Sequence, residues 1–310
     1  MKKTLILVAA TLFAYCSAIS MNAQEPELKF NDEGKFKIVQ FTDTHIIYED
    51  KRCADAMDRM NEVLDAEKPD LVIYTGDLIF GRPAKESLLQ AIGPVVSRGI
   101  PFGVTWGNHD DEELLTREEL FDVIKDIPGN LTEAEDNLTG VTNYVLPVRS
   151  SNGKKTASVI YVFDSNGYSQ MEEVDGYDWI AYDQVLWYKE KSKVLTADNN
   201  GNPLPALAFF HIPLPEYHLV KDFYDTVGKC LETPCSPEIN TGMFAAMFEM
   251  QDIFGAFVGH DHDNDFIGQY RGIALAYGRA AGVDTYGALP KGGRIIDLYE
   301  GQKCFDTWII

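Results

Sequence analysis

Apolar positions along the chain fall into short runs, and most of these runs give way to a polar loop before a helical pattern begins. Lys35–Phe41 carries the first run, with Phe36, Ile38, Val39 and Phe41 apolar, and reads as a strand. Ala54–Glu67 places Met57, Met60 and Leu64 on one helical face, and Pro69 stops it. Leu71–Thr75 reads as a second strand, and Ala84–Val96 as a helix weakened by Gly93 and Pro94. The run Pro101–Trp106 reads as a third strand, with Gly107 letting the chain turn sharply at its end. Glu112–Lys125 then reads as a helix with an acidic first turn, as the helix dipole favours. This alternation predicts βαβ units and a largely parallel sheet, an α/β or α+β fold.

Farther on, Val141–Val148 and Thr156–Phe163 read as strands joined by Ser150-Ser151-Asn152-Gly153, a hairpin signal. Tyr182–Leu195 is a helix, Leu207–Phe210 a strand, and residues 212–240 a Pro-containing insertion. Thr241–Met250 reads as a short helix and Ala256–Val258 as a strand. The runs Phe266–Tyr270, Ile273–Tyr277, Arg294–Tyr299 and Phe305–Ile309 read as an antiparallel set. No repeat and no linker interrupts residues 24–310, which are expected to form a single domain.

The first 23 residues change the picture. Lys2 and Lys3 precede the apolar stretch Leu5–Ala14, which is short for a bilayer span, and Met21-Asn22-Ala23 offers a cleavage site. They are expected to be a signal peptide, making the protein exported, periplasmic or secreted. A lipid anchor at Cys16 is disfavoured by the bulky Tyr15 before it. No transmembrane segment is expected in the mature chain. Of 27 Lys and Arg against 48 Asp and Glu, the leader removes two lysines and leaves a net charge of −23. So acidic a surface argues against nucleic acid or anionic membrane as the main partner. A phosphate site must then be locally positive, as bound cations would make it. Cys53, Cys230, Cys235 and Cys304 remain, with Cys230 and Cys235 the easiest pair to bridge and no CxxC present.

Candidate chemistry sits where the apolar runs end. Of six histidines, His45, His109, His211, His260 and His262 each follow such a run, while His218 lies in the insertion. Asp43 and Asp77 occupy the same kind of position, at the strand ends where ligand sites of α/β sheets gather. Carboxylates and imidazoles without thiolate favour Fe, Mn or Zn. Two such cations, about 3.5–4 Å apart, need a shared oxygen ligand, and Asp77 is the natural bridge. Such a pair lowers the pKa of water and polarises a phosphoryl oxygen, while a protonated His nearby can serve the leaving group.

Asp43-x-His45, Gly76-Asp77, Gly107-Asn108-His109-Asp110, His211 and Gly259-His260-x-His262 together resemble the signature of the calcineurin-like metallophosphoesterases. His211–Tyr217 and Gly259–Asp265 further resemble the branch of small plant purple acid phosphatases of the 28/29 type and related yeast cell-cycle phosphatases. The resemblance implies a four-layer α-β-β-α sandwich of two mixed sheets. It also implies that Asp43, His45 and His262 hold one di- or trivalent metal, Asn108, His211 and His260 a second, and that Asp77 bridges them. His109 would act as general acid, with Asp110 orienting it. The implied activity is hydrolysis of a small phosphomonoester by hydroxide held on the metals, with phosphodiester or nucleotide hydrolysis as the alternative. A metal-stabilised binding protein without catalysis is the alternative of another class. Purple acid phosphatases carry a tyrosine three residues after the bridging Asp; Phe80 stands there, so a colourless protein is expected.

Overall fold

The computed structural model describes residues 26–223, 225–283 and 285–310. The expected signal peptide, with Cys16, lies outside the described residues. In chain order the first elements are β1 (Lys35–Phe41), α1 (Ala54–Glu67), β2 (Leu71–Thr75), α2 (Ala84–Val96), β3 (Phe102–Thr105) and α3 (Arg117–Ile124). Next come β4 (Tyr144–Arg149), β5 (Thr156–Val162), α4 (Tyr182–Asp198), β6 (Ala206–Phe209), α5 (Tyr217–Val220) and α6 (Met243–Met250). The chain closes with β7 (Ile253–Val258), β8 (Ile267–Tyr270), β9 (Ile273–Tyr277), β10 (Arg294–Tyr299) and β11 (Phe305–Ile309).

These strands build two mixed sheets, ordered β11-β10-β1-β2-β3 and β4-β5-β6-β7-β9-β8. In the first, β1, β2 and β3 run parallel, while β10 pairs antiparallel with β1 and with β11. In the second, β5, β6, β7 and β9 run parallel, flanked by antiparallel β4 and β8. The one largely parallel sheet read from the alternation is therefore two. The expected antiparallel set also divides, β8–β9 joining one sheet and β10–β11 the other.

Strand residues alternate between two apolar layers because successive side chains point to opposite faces. On β1 and β2, Ile38, Leu71 and Ile73 face the second sheet, where they meet Tyr144, Ile160, Leu207 and Phe257. Their neighbours Val39, Val72 and Tyr74 pack under α1, α2 and α3 through Met60, Leu88, Ile92 and Leu120. On the other side, Tyr161, Ala208 and Val258 pack under α4 and α6. The layers are thus helices, sheet, sheet, helices, with β2, β3, β6 and β7 buried on both faces. Full burial of one large aliphatic side chain is worth about 1.5–3 kcal/mol, so the three layers hold the two sheets firmly together.

Polar groups cross the inner layer near the strand ends. Gln40 donates to Thr75 Oγ1 at 2.8 Å and to Val258 O at 3.0 Å, tying β1 and β2 to β7. Thr105 Oγ1 donates to Phe163 O at 2.8 Å. These links fix the edge at which the candidate residues emerge.

Helix α3 begins five residues later than the sequence pattern predicts. Asp110–Glu112 form a 3-10 turn instead. Thr116 then accepts from Glu119 N, and Glu119 reaches back to Thr116 N, a capping box that sets the true start. Cys230 and Cys235 are not bridged to each other; both are free thiols, as is Cys304. Among the described residues no helix is long and apolar enough to cross a membrane.

Candidate metal centre

Both sheets deliver side chains to one edge. Asp43 and His45 follow β1, Asp77 follows β2, and Asn108, His109 and Asp110 follow β3. From the second sheet, His211 comes just after β6, and His260 and His262 after β7. Of these, only His109 is not fully buried. Asp43, His45, Asp77 and His260 have φ of 50°, 43°, 51° and 79°, the left-handed region that non-glycine residues avoid. Each such residue costs on the order of 1–3 kcal/mol and persists only where neighbours over-determine it. Here they do: Asp43 N donates to Gly76 O at 3.1 Å, His45 N to Asp77 O at 3.0 Å, and His260 N to the Asp43 carboxylate at 3.2 Å.

Two buried trios result. The ligand atoms of Asp43, His45 and His262 lie within 4.8 Å of one another, as do those of Asp77, His211 and His260. His262 Nε2 stands 3.3 Å from Asp43 Oδ1, and His211 Nε2 and His45 Nε2 stand 3.2 and 3.6 Å from Asp77 Oδ2. Asp77 is therefore within reach of both trios. His211 donates from Nδ1 to Thr75 O at 2.7 Å, which leaves Nε2 facing Asp77 Oδ2 at 3.2 Å and His260 Nδ1 at 3.3 Å, with a lone pair there for a cation once the ring is neutral.

The donor set fits cations. Both ring nitrogens of His45, Nδ1 of His262 and Oδ1 of Asn108 are buried without a hydrogen-bond partner. Leaving so many buried polar atoms unpaired would cost about 1–3 kcal/mol each, unless a cation takes their lone pairs. Asn108 is oriented for that role, since its Nδ2 donates to Tyr168 Oη at 3.0 Å and turns Oδ1 away.

Charges within the cluster are mutually adjusted. Burial pushes Asp43 up, but His262 and His211 overrule it and hold the carboxyl at about 2. Asp77 is likewise held well below the usual range, chiefly by His211 and His45 against its burial. Burial lowers His211, yet Asp77 and Asp43 raise it to about 9, whereas burial and the His211 charge lower His260 to about 3. A proton on His211 thus offsets part of the charge of the two carboxylates, where cations would otherwise do so.

Asp110 does not orient His109. Its Oδ2 accepts from Asp77 N at 2.9 Å and Gly107 N at 2.8 Å, and its Oδ1 from Leu78 N at 2.7 Å and Ile79 N at 3.1 Å. It clamps two loops together. The carboxylate on the His109 ring is Glu112, whose Oε2 accepts from Nδ1 at 2.8 Å. Sequence reasoning missed Glu112 by assigning it to a helix; the His-x-x-Glu spacing was the available signal. His109 N also donates to Asp77 Oδ1 at 2.8 Å, which ties its position to the cluster. Gly107 serves a purpose other than a turn: a Cβ there would collide with the Asp77 carboxylate and backbone nitrogen.

The calcineurin-like phosphoesterase family profile matches residues 36–264. The chain belongs to that family. A relative of this phosphoesterase-family chain, "Probable inactive purple acid phosphatase 29" of Arabidopsis thaliana, is 34% identical over 303 residues, which are 87% of this chain and 78% of the plant one. "Phosphatase DCR2" of Saccharomyces cerevisiae is 34% identical over 270 residues, 77% of this chain and 46% of the yeast one. Among solved structures, a dimetal phosphatase from Danio rerio has a TM-score of 0.58 at 14% identity, covering 88% of this chain and 98% of its own. At that identity the likeness speaks for the fold alone.

Other residues of the phosphoesterase edge sort as follows. Asp77, His109, His260 and His262 line a cavity of about 210 Å³ together with Phe80, Tyr177 and Tyr286. Tyr168 joins from the side through Asn108. Arg279, whose guanidinium could suit a phosphate, is engaged with Asp265 and with Pro290 O. Asn166 is buried on Trp179 O and Gln184 Oε1, and His218 meets Ser236 away from the cluster.

Proposed function

We propose that this protein is an exported phosphoesterase that hydrolyses small phosphomonoesters with two metal ions. The observation that carries the reading is the pair of buried trios sharing reach of Asp77, with His109 half-buried at their edge. Asp43, His45 and His262 would hold one ion, and Asn108, His211 and His260 the other. When bound, such ions polarise a phosphoryl oxygen and make water a nucleophile at neutral pH. The chain's own residues supply the rest. His109, protonated, gives its Nε2 proton to the leaving oxygen, while Glu112 holds Nδ1 and so aims the ring. Asp110 keeps the loops after β2 and β3 at the spacing this requires. Phosphodiester or nucleotide hydrolysis at the same residues is the alternative within the class.

A second reading is a binding protein that holds the ions without turnover. It is favoured by the name of the plant relative, which includes "probable inactive". It is opposed by the full set of donors and by His109 with its carboxylate partner. The deciding experiment strips metal with chelator, restores Mn or Zn, and assays monoesters, diesters and nucleotides. Hydrolysis that vanishes on chelation and returns with metal supports the phosphoesterase. Full metal content with no turnover on the whole panel supports the binding protein.

A further inference from the structure

Resting on the phosphoesterase reading, we propose that the leaving-group side of the site is an aromatic slot, so that the substrate is an aryl or heteroaryl phosphomonoester with an otherwise uncharged leaving group. The leaving oxygen must come within about 2.6–3.2 Å of the His109 nitrogen whose proton it takes. Two rings flank the His109 ring. Phe80 lies 5.2 Å from the His109 ring at 86°, and Tyr168 lies 6.3 Å away at 74°. Both are exposed, at 37% and 41%. Whatever is attached to the leaving oxygen meets these two faces first.

The rest of the rim continues the theme. Tyr177 stacks on Tyr168 at 5.5 Å and 24°, the two joined by an antiparallel bridge within the β5–α4 loop. Tyr286, from the β9–β10 loop and 55% exposed, stacks on His262 at 4.2 Å. Scattered single aromatics are ordinary; three lining one cavity, with Tyr168 stacked beside them and all carried by three separate loops, are the signature of a site for a flat ligand. Charge narrows the class. Among the described residues lining the cavity none is Lys or Arg, while Glu232 and Asp261 are present beside the expected metal ligands. Glu112 adds a further carboxylate beside His109. A di- or triphosphate leaving group is repelled there, and a neutral ring is not.

The test uses the Mn-reconstituted protein and two phosphonates of equal charge and carbon count, benzylphosphonate and cyclohexylmethylphosphonate. Titration calorimetry reads their Kd values without needing turnover. The slot predicts that the planar ligand binds about 2–10-fold tighter. Phe80→Leu should bring the ratio toward one with bound metal unchanged, and Tyr168→Leu should bring it toward one even where loss of the Asn108 contact weakens metal binding. Equal affinities in the parent protein, binding of neither ligand, or a ratio unaltered in both variants would overturn the slot. Discrimination retained in a protein that hydrolyses no phosphomonoester would instead remove the phosphoesterase reading while supporting the slot as a ligand site.

Discussion

Replacing Asp110 by Asn tests whether the buried carboxylate is a clamp. The substitution keeps shape and volume. It leaves one carbonyl oxygen where two carboxylate oxygens accepted from Asp77, Gly107, Leu78 and Ile79 at 2.7–3.1 Å. That oxygen can satisfy one pair of N–H donors, and the new amide NH₂ then faces the other pair. Two buried donors left unsatisfied cost about 1–3 kcal/mol each. An offset comes from charge: burial and the neighbouring Asp77 push the Asp110 carboxyl up to about 7, and the amide relieves that repulsion. The expected net loss is about 2–4 kcal/mol. Urea denaturation of the chelated protein measures it without the contribution of bound metal, and metal analysis after reconstitution asks whether Asp77 is still in place. An unchanged urea midpoint together with full metal content would refute the clamp.

Three further outcomes follow from the same geometry. His109→Ala should lower kcat by about 10²–10⁴-fold with metal content intact, and Glu112→Gln by about 10-fold; full activity in the first would remove its role. In the chelated protein, burial lowers His211 but Asp77 and Asp43 raise it to about 9 from 6.5. Because the folded pKa is raised, that stabilisation is complete below about pH 6.5 and fades as pH climbs to 9, by roughly 3 kcal/mol at most. Thermal melts across this window should show Tm falling without metal and holding with it; a flat metal-free profile contradicts the charge balance. Finally, the iron-loaded protein should lack an intense visible band, because Phe80 has no hydroxyl to ligate although its ring lies 5.1 Å from that of His45. Phe80→Tyr is the variant in which absorption spectroscopy should find one.

The metal-ligand candidates were legible because each ends an apolar run, and the chemistry of Asp, Asn and His is local information. The layering was not legible from periodicity. Runs buried on both faces, such as Leu71–Thr75 and Ile253–Val258, look alike whichever sheet they join. Their assignment depends on β10 returning to pair with β1, with Lys35 opposite Tyr299, a contact no local pattern announces. The family resemblance supplied the two sheets. Asp110 and Glu112 were misread for a related reason. Adjacency made Asp110 the evident partner of His109, yet a 3-10 turn sends it inward to four backbone donors and brings Glu112 under the ring. Arg279 was ambiguous because a guanidinium suits a phosphate and a carboxylate equally; Asp265 occupies it.

Each trio draws on both sheets: Asp43 and His45 with His262, Asp77 with His211 and His260. Neither half of the sandwich owns a complete coordination shell. Ion affinity therefore depends on how the halves are seated, and ion binding resists their separation by RT ln(1 + [metal]/Kd). The cations would act as rivets, set only after both plates are aligned. Hydrogen exchange should then slow in β1 and β7 together when metal is added, and protection confined to one sheet would show that the halves are held by packing alone.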